Sequence, residues 1–126
     1  PSVFLAAIGP AAVHTGRSSF AANLFQAGGL ATVTGEGDGA AALAEAFTAS
    51  GASVACLCSA DKLYAEHAEA VAAALKAAGA RRVLLAGKPG EHREAYHKAG
   101  VDGYVFAGCD AVAVLTSVLD EIGAAR

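Results

Sequence analysis

Residues 71–86 read VAAALKAAGARRVLLA. The stretch divides into three parts with different physical demands. Ala72 to Ala78 is a run of strong helix formers, with Val71 and Leu75 four apart and so on one face. Gly79 follows, and glycine is the residue that most readily takes the left-handed conformation that ends a helix. After a short polar turn, Val83 to Ala86 is a brief apolar run of strand length. The unit is helix, cap, turn, strand.

The same unit recurs along the chain. Gln26-Ala27-Gly28-Gly29 precedes Leu30 to Thr34, Ala49-Ser50-Gly51 precedes Val54 to Cys58, and Lys98-Ala99-Gly100 precedes Tyr104 to Phe106. With the opening Val3 to Ile8 there are five strands, each followed by a helix. The third helix carries the apolar stripe Tyr64, Ala68, Val71, Leu75 and Ala78. The fifth carries Val112, Leu115, Leu119 and Ile122, the first Phe20, Leu24 and Ala27, and the second Leu43 and Phe47. The fourth, about Glu91 to Ala99, is the most polar.

Strict alternation of strand and helix implies a parallel sheet covered on both faces. Five units in 126 residues predict an α/β, flavodoxin-like (Rossmann-like) three-layer sandwich with strand order 2-1-3-4-5. One domain over residues 1–126 is expected. The chain contains no methionine and begins at Pro1, so the expectation is the end of a longer polypeptide.

Composition excludes several classes. With 55% hydrophobic and 17% charged residues the chain is not intrinsically disordered. A net charge of −3 gives no electrostatic case for nucleic acid or acidic lipid. Apolar runs are interrupted early, as by Lys76, so no membrane span is expected. Three cysteines are too few for a disulfide framework; read as reduced, they fit a cytoplasmic protein. Cys56 and Cys58, two apart on a strand, share a face and read as small buried hydrophobes. His67, His92 and His97 lie among charged residues and read as solvated helix positions.

In this strand order, ligands bind at the carboxyl ends of the strands where the order reverses, here between strands 1 and 3. The loop after strand 1 is expected to run from Gly9 to Gly16 and to hold His14. The loop after strand 3 begins with Ser59, that after strand 4 reads Gly87-Lys88-Pro89-Gly90, and that after strand 5 holds Gly108, Cys109 and Asp110. A phosphate-accepting receiver needs acidic residues where Gly9 and Ser59 stand. Arg82 stands where a P-loop needs glycine, so Gly87-Lys88 is no Walker motif. Gly35, Gly37 and Gly39 are expected in a flexible loop after strand 2. Nucleophile–base and carboxylate pairs are missing at readable spacing, so the segment is not expected to be catalytic alone.

Several stretches resemble the C-terminal, cobalamin-binding-type domain of methylmalonyl-CoA mutases, above all the small (β) subunit. They are residues 3–9 (VFLAAIG), Ser18-Ser19-Phe20, Leu57-Cys58-Ser59-Ala60 with Tyr64-Ala65, residues 73–80 (AALKAAGA) and the tail from Leu115 to Gly123. The cobalamin-binding pattern in this family is Asp-x-His-x-x-Gly, then Ser-x-Leu at a fixed distance, then a Gly-Gly pair. His14 and Ser59 match it at the family's spacing. The resemblance then implies His14 as lower axial ligand to cobalt, the one metal-ligand assignment, with Ser59 and Gly87 holding the cofactor's nucleotide tail.

Four signature positions depart from the pattern. Ala12 replaces the aspartate that orients the histidine. Arg17 replaces the first glycine, Asp61 the leucine, and Lys88 the second glycine of the pair. The expectation is therefore a degenerate domain with no bound cofactor, packing against the catalytic large subunit of a heterodimeric mutase that isomerises methylmalonyl-CoA to succinyl-CoA. Two alternatives stand beside it: a working cobalamin carrier through His14, and an unrelated flavodoxin-like binding module.

Overall fold

Alternate side chains of the first strand, β1 (Ser2–Ile8), face two different cores, and this two-residue period organises the molecule. Phe4, Ala6 and Ile8 join one cluster of buried residues. Val3 and Leu5 join another on the opposite side. The computed structural model describes residues 2–37, 39–88 and 90–123.

The order of elements is β1, α1 (Ala11–Ala27), β2 (Ala31–Gly37), α2 (Ala40–Ser50), β3 (Val54–Cys58), α3 (Asp61–Ala77), β4 (Arg82–Ala86), a short 3-10 turn (Gly90–His92), α4 (Arg93–Ala99), β5 (Gly103–Val105) and α5 (Ala111–Gly123). All strands are parallel, in the order β2-β1-β3-β4-β5. Helices α2, α3 and α4 cover one face through Leu43, Phe47, Tyr64, Ala68, Val71, Leu75 and Tyr96. Helices α1 and α5 cover the other through Ala21, Phe25 and Val118. Both predicted features, the flavodoxin-like sandwich and its strand order, are present.

The helix-ending glycines do what their positions predict. Gly29, Gly51, Gly79 and Gly100 all have positive φ, a region that side chains with a Cβ avoid. Cys56 and Cys58 are fully buried on the α1 and α5 side. His92 and His97 are exposed, and the His67 side chain is half-exposed.

Four local expectations need correction. The loop after β1 is only Gly9-Pro10, and α1 begins at Ala11. Pro10 explains the early start: its ring holds φ near −71°, and its carbonyl accepts the amides of Val13 and His14. Strand β2 extends to Gly37, so Gly35 and Gly37 belong to it. Gly35 is needed there because a Cβ would meet the Phe4 ring at 2.5 Å. On α1 the buried residues are His14, Ser18, Ala21 and Phe25, with Phe20 and Leu24 at the margin and Ala27 exposed. On α5 the buried residue is Val118, flanked by Val114 and Leu115, while Val112 and Leu119 are exposed. The Ile122 side chain lies outside the described residues. Among the described residues, no helix is long and apolar enough to cross a membrane.

Candidate functional site

The strands are all parallel, so the carboxyl ends of β1 and β3, between which the strand order reverses, share one edge of the sheet with those of β4 and β5 beside them. What stands there is a network centred on Tyr64 and Arg17. Tyr64 sits in the first turn of α3, and its side chain reaches under the strand ends. Its hydroxyl accepts the Ser59 amide at 2.8 Å and lies 2.6 Å from the Ala86 carbonyl and 3.1 Å from that of Leu57. One phenolic proton serves these carbonyls, so the hydroxyl joins the ends of β3 and β4. Burial, with the neighbouring Cys56 and Cys58 adding to it, pushes the Tyr64 phenol well above its ordinary value.

Arg17 lies one turn beyond His14 on α1 and crosses the gap between α1 and α3. Its guanidinium donates to the Ser59 carbonyl at 3.0 Å and to Asp61 Oδ1 at 2.7 Å. It also stands 5.6 Å from the centre of the Tyr64 ring, a cation–π distance. The same group lies against Gly87, where a Cβ would come within 2.9 Å of it. Three of the four altered signature positions thus meet: Arg17 and Asp61 form an ion pair, and Lys88 follows the glycine that Arg17 covers. A groove of about 450 Å³ runs beside them between Arg17, Phe20, Gly87, Lys88 and Phe106. Ser59 does not line that groove; it is fully buried and donates its hydroxyl to the Ile8 carbonyl at 2.8 Å.

His14 lies in the first turns of α1, not on a loop, and is 6% exposed. Its Nε2 is 3.0 Å from Glu36 on β2, and its Nδ1 is 2.8 Å from the Ser18 hydroxyl. Nε2 faces the Glu36 carboxylate and Nδ1 faces the Ser18 hydroxyl, so both ring nitrogens are engaged. Ser18 also lies 3.0 Å from the His14 carbonyl in its own helix. The trio ties α1 to the edge strand β2. It leaves neither ring nitrogen open to a metal.

These residues do not fit cobalamin as they stand. Ligation of cobalt would need a free imidazole nitrogen, and both of His14's are engaged. A nucleotide tail needs clearance over Gly87 and a reachable Ser59 hydroxyl, and Arg17 occupies the first while Ile8 holds the second. His14, Ser59 and Gly87 are therefore neighbours in the fold but do not form one open site. No group of three or more potential metal ligands gathers among the described residues.

Glu36 and Tyr64 are participants that sequence reasoning missed. Tyr64 read as a member of an apolar stripe and of a stretch that carries the family resemblance, with no bonding role, and Glu36 fell between the glycines of an expected loop. For the helix start a signal existed in Gly9-Pro10 before Ala11-Ala12, since proline marks helix beginnings. For the Arg17–Asp61 pair, 44 residues apart, no local signal exists.

No protein-family model matches the chain. Among solved structures, the signal receiver domain of the response regulator NarL from Mycobacterium tuberculosis superposes with a TM-score of 0.61, covering 95% of this chain and 96% of that one. At 22% identity that likeness concerns the fold alone. Curated relatives are far nearer in sequence. A methylmalonyl-CoA mutase small subunit from Streptomyces virginiae is 64% identical over 99% of this chain. One from Propionibacterium freudenreichii subsp. shermanii is 41% identical over 100% of it. The chain spans only 19% and 20% of those two proteins. Over nearly its full length, then, the chain is a homologue of one segment, about a fifth, of the methylmalonyl-CoA mutase small subunits.

Proposed function

We propose that this chain is the cobalamin-domain-like, C-terminal part of a methylmalonyl-CoA mutase small subunit, and that it works without a bound cobalamin. Its role is structural: it supports the heterodimer with the catalytic large subunit, which carries the cofactor and isomerises methylmalonyl-CoA to succinyl-CoA. The observation that carries this reading is the Arg17 guanidinium, seated over Gly87 and bonded to Ser59 and Asp61 where the nucleotide tail would enter. Three free thiols support a reducing, cytoplasmic setting.

The working-carrier alternative asks for several changes at once: Arg17 swung out, Ser59 freed from Ile8, and His14 released from Glu36 and Ser18. Each breaks a hydrogen bond that the fold supplies, and Ala12 offers no carboxylate to orient a released histidine.

The test is a visible-absorbance titration with hydroxocobalamin and with adenosylcobalamin, followed by gel filtration. Neither cobalamin is expected to shift in spectrum or co-elute. Stoichiometric retention that His14→Ala abolishes would overturn the cofactor-free reading. A second arm mixes the chain with the cobalamin-loaded large subunit; co-elution is expected, and its absence would overturn the supporting role.

A further inference from the structure

A second cleft adjoins the Arg17 groove through Lys88 and Phe106 and opens along the edge strand β5, between α4 and α5. Its volume is about 500 Å³, within the range of small-molecule sites. Two unpaired cations stand on its wall, each held against an aromatic ring. Lys88 Nζ is 5.2 Å from the centre of Phe106, and the Arg93 guanidinium is 6.0 Å from that of Tyr104. Among the described residues neither is paired with a carboxylate, whereas Arg17, Lys76, Arg82 and Lys98 all are. His97 lines the same cleft.

Two acids line the cleft as well, Asp102 and Asp110. Asp102 is held by Lys76 at 2.7 Å and by the Val83 amide at 2.9 Å. Asp110 accepts the Ala113 amide at the start of α5. Lys76 thus balances Asp102, and against Lys88 and Arg93 stands one carboxylate, Asp110, with no cation partner among the described residues, which leaves a net positive charge for a ligand. The remaining wall, including Val101 and Val114, is apolar.

We infer that this cleft binds a small phosphorylated aromatic compound of the nucleotide class. Lys88 and Arg93 take the phosphate groups, arginine as a planar fork and lysine as a point charge. The apolar wall takes the ring, beside the Tyr104 and Phe106 rings that line the cleft. Lys88 and Phe106 border both this cleft and the groove beside Arg17, but Arg17, Ser59 and Tyr64 do not line it, so the nucleotide site stands or falls separately from the cofactor-free reading.

The test is an amide-resolved NMR titration of the 126-residue chain with ADP, and in parallel with pyrophosphate and with adenosine. ADP is expected to bind at one site, with shifts confined to Lys88 and to the segment from Arg93 to Val114. Lys88→Ala and Arg93→Ala are each expected to weaken it about tenfold, while Lys98→Ala, outside the cleft, leaves it unchanged. No saturable shift with ADP, or shifts centred elsewhere, would overturn the site. Pyrophosphate binding as tightly as ADP would overturn the aromatic part, and adenosine binding as tightly would overturn the phosphate part. Because both alanine variants lie at exposed positions, their retained fold is checked in the same spectra.

Discussion

Replacing Tyr64 by phenylalanine isolates the hydroxyl that joins the strand ends. The ring stays, so the volume of the core is unchanged and no cavity opens. What is lost is the partner of two buried backbone groups, the Ser59 amide at 2.8 Å and the Ala86 carbonyl at 2.6 Å. Leaving such a group unsatisfied costs about 1–3 kcal/mol. The second carbonyl, on Leu57, is the more distant and adds little. Together the loss is about 3 kcal/mol. With an unfolding entropy of roughly 2 cal/mol/K per residue, the Tm of this chain falls by about 10 °C. The assay is thermal unfolding by circular dichroism, with urea unfolding beside it to fix the m-value. Tyr96→Phe is the control, since the Tyr96 hydroxyl makes no hydrogen bond among the described residues; it is expected to cost under about 0.5 kcal/mol. A Tyr64→Phe variant within about 0.5 kcal/mol of the parent, at equal m-value, would refute the argument that this hydroxyl satisfies buried backbone.

Three further outcomes are expected. Burial first of all raises the phenol pKa of Tyr64, Tyr96 and Tyr104 alike. Above about pH 10 the unfolded chain therefore holds fewer protons than the folded one, and stability, fully present below that pH, falls as pH rises further. Urea midpoints that stay flat on moving from neutral pH to above about pH 10 would contradict this. Cys56 and Cys58 are fully buried, with the Cys56 thiol pushed well up by its hydrogen bond to Cys58 and by burial, while Cys109 is half-buried. One thiol is expected to react rapidly with an aromatic disulfide reagent and two only on unfolding; three equal rates would sink the assignment. Gly35→Ala places a Cβ against the Phe4 ring at 2.5 Å and Ala46 at 3.1 Å, and overpacking of this kind costs about 1–3 kcal/mol. A neutral result in chemical denaturation would show that Phe4 yields without strain.

Much of the fold is legible in local pattern because its signals are local. A glycine after an alanine-rich run ends a helix by its own conformational freedom, and Gly29, Gly51, Gly79 and Gly100 all do so. The stripe on α3 is read correctly because that helix is covered by neighbours along its length. The α5 stripe is misread by one helical face. Val112, Leu115, Leu119 and Val114, Leu115, Val118 are both sensible apolar stripes, and only the position of β5 and α1 selects the second. The same holds for α1, where Ala27 fits a stripe but the buried face is set by His14 and Ser18. Periodicity reports that a helix has an apolar face; where two faces are nearly equal, packing decides.

For the candidate site, strand order directs attention to the segments bearing His14 and Ser59, with Gly87 beside them; the fold brings Ser59 and Gly87 together under Arg17 and puts His14 on α1 instead of a loop. The family resemblance, not the residues by themselves, marks Arg17, Asp61 and Lys88 as departures from a cobalamin-binding pattern. What only the tertiary structure decides is how those departures are used. Arg17 and Asp61 pair across 44 residues of chain, and Arg17 covers Gly87. His14 is turned into the molecule, with Glu36 on one nitrogen and Ser18 on the other. Sheet order and helix ends follow from short-range rules of backbone conformation and from the two-residue and 3.6-residue periods, which a linear chain carries in full. Side-chain partnership depends on distances between segments that are remote along the chain, and these exist only once the sheet has formed.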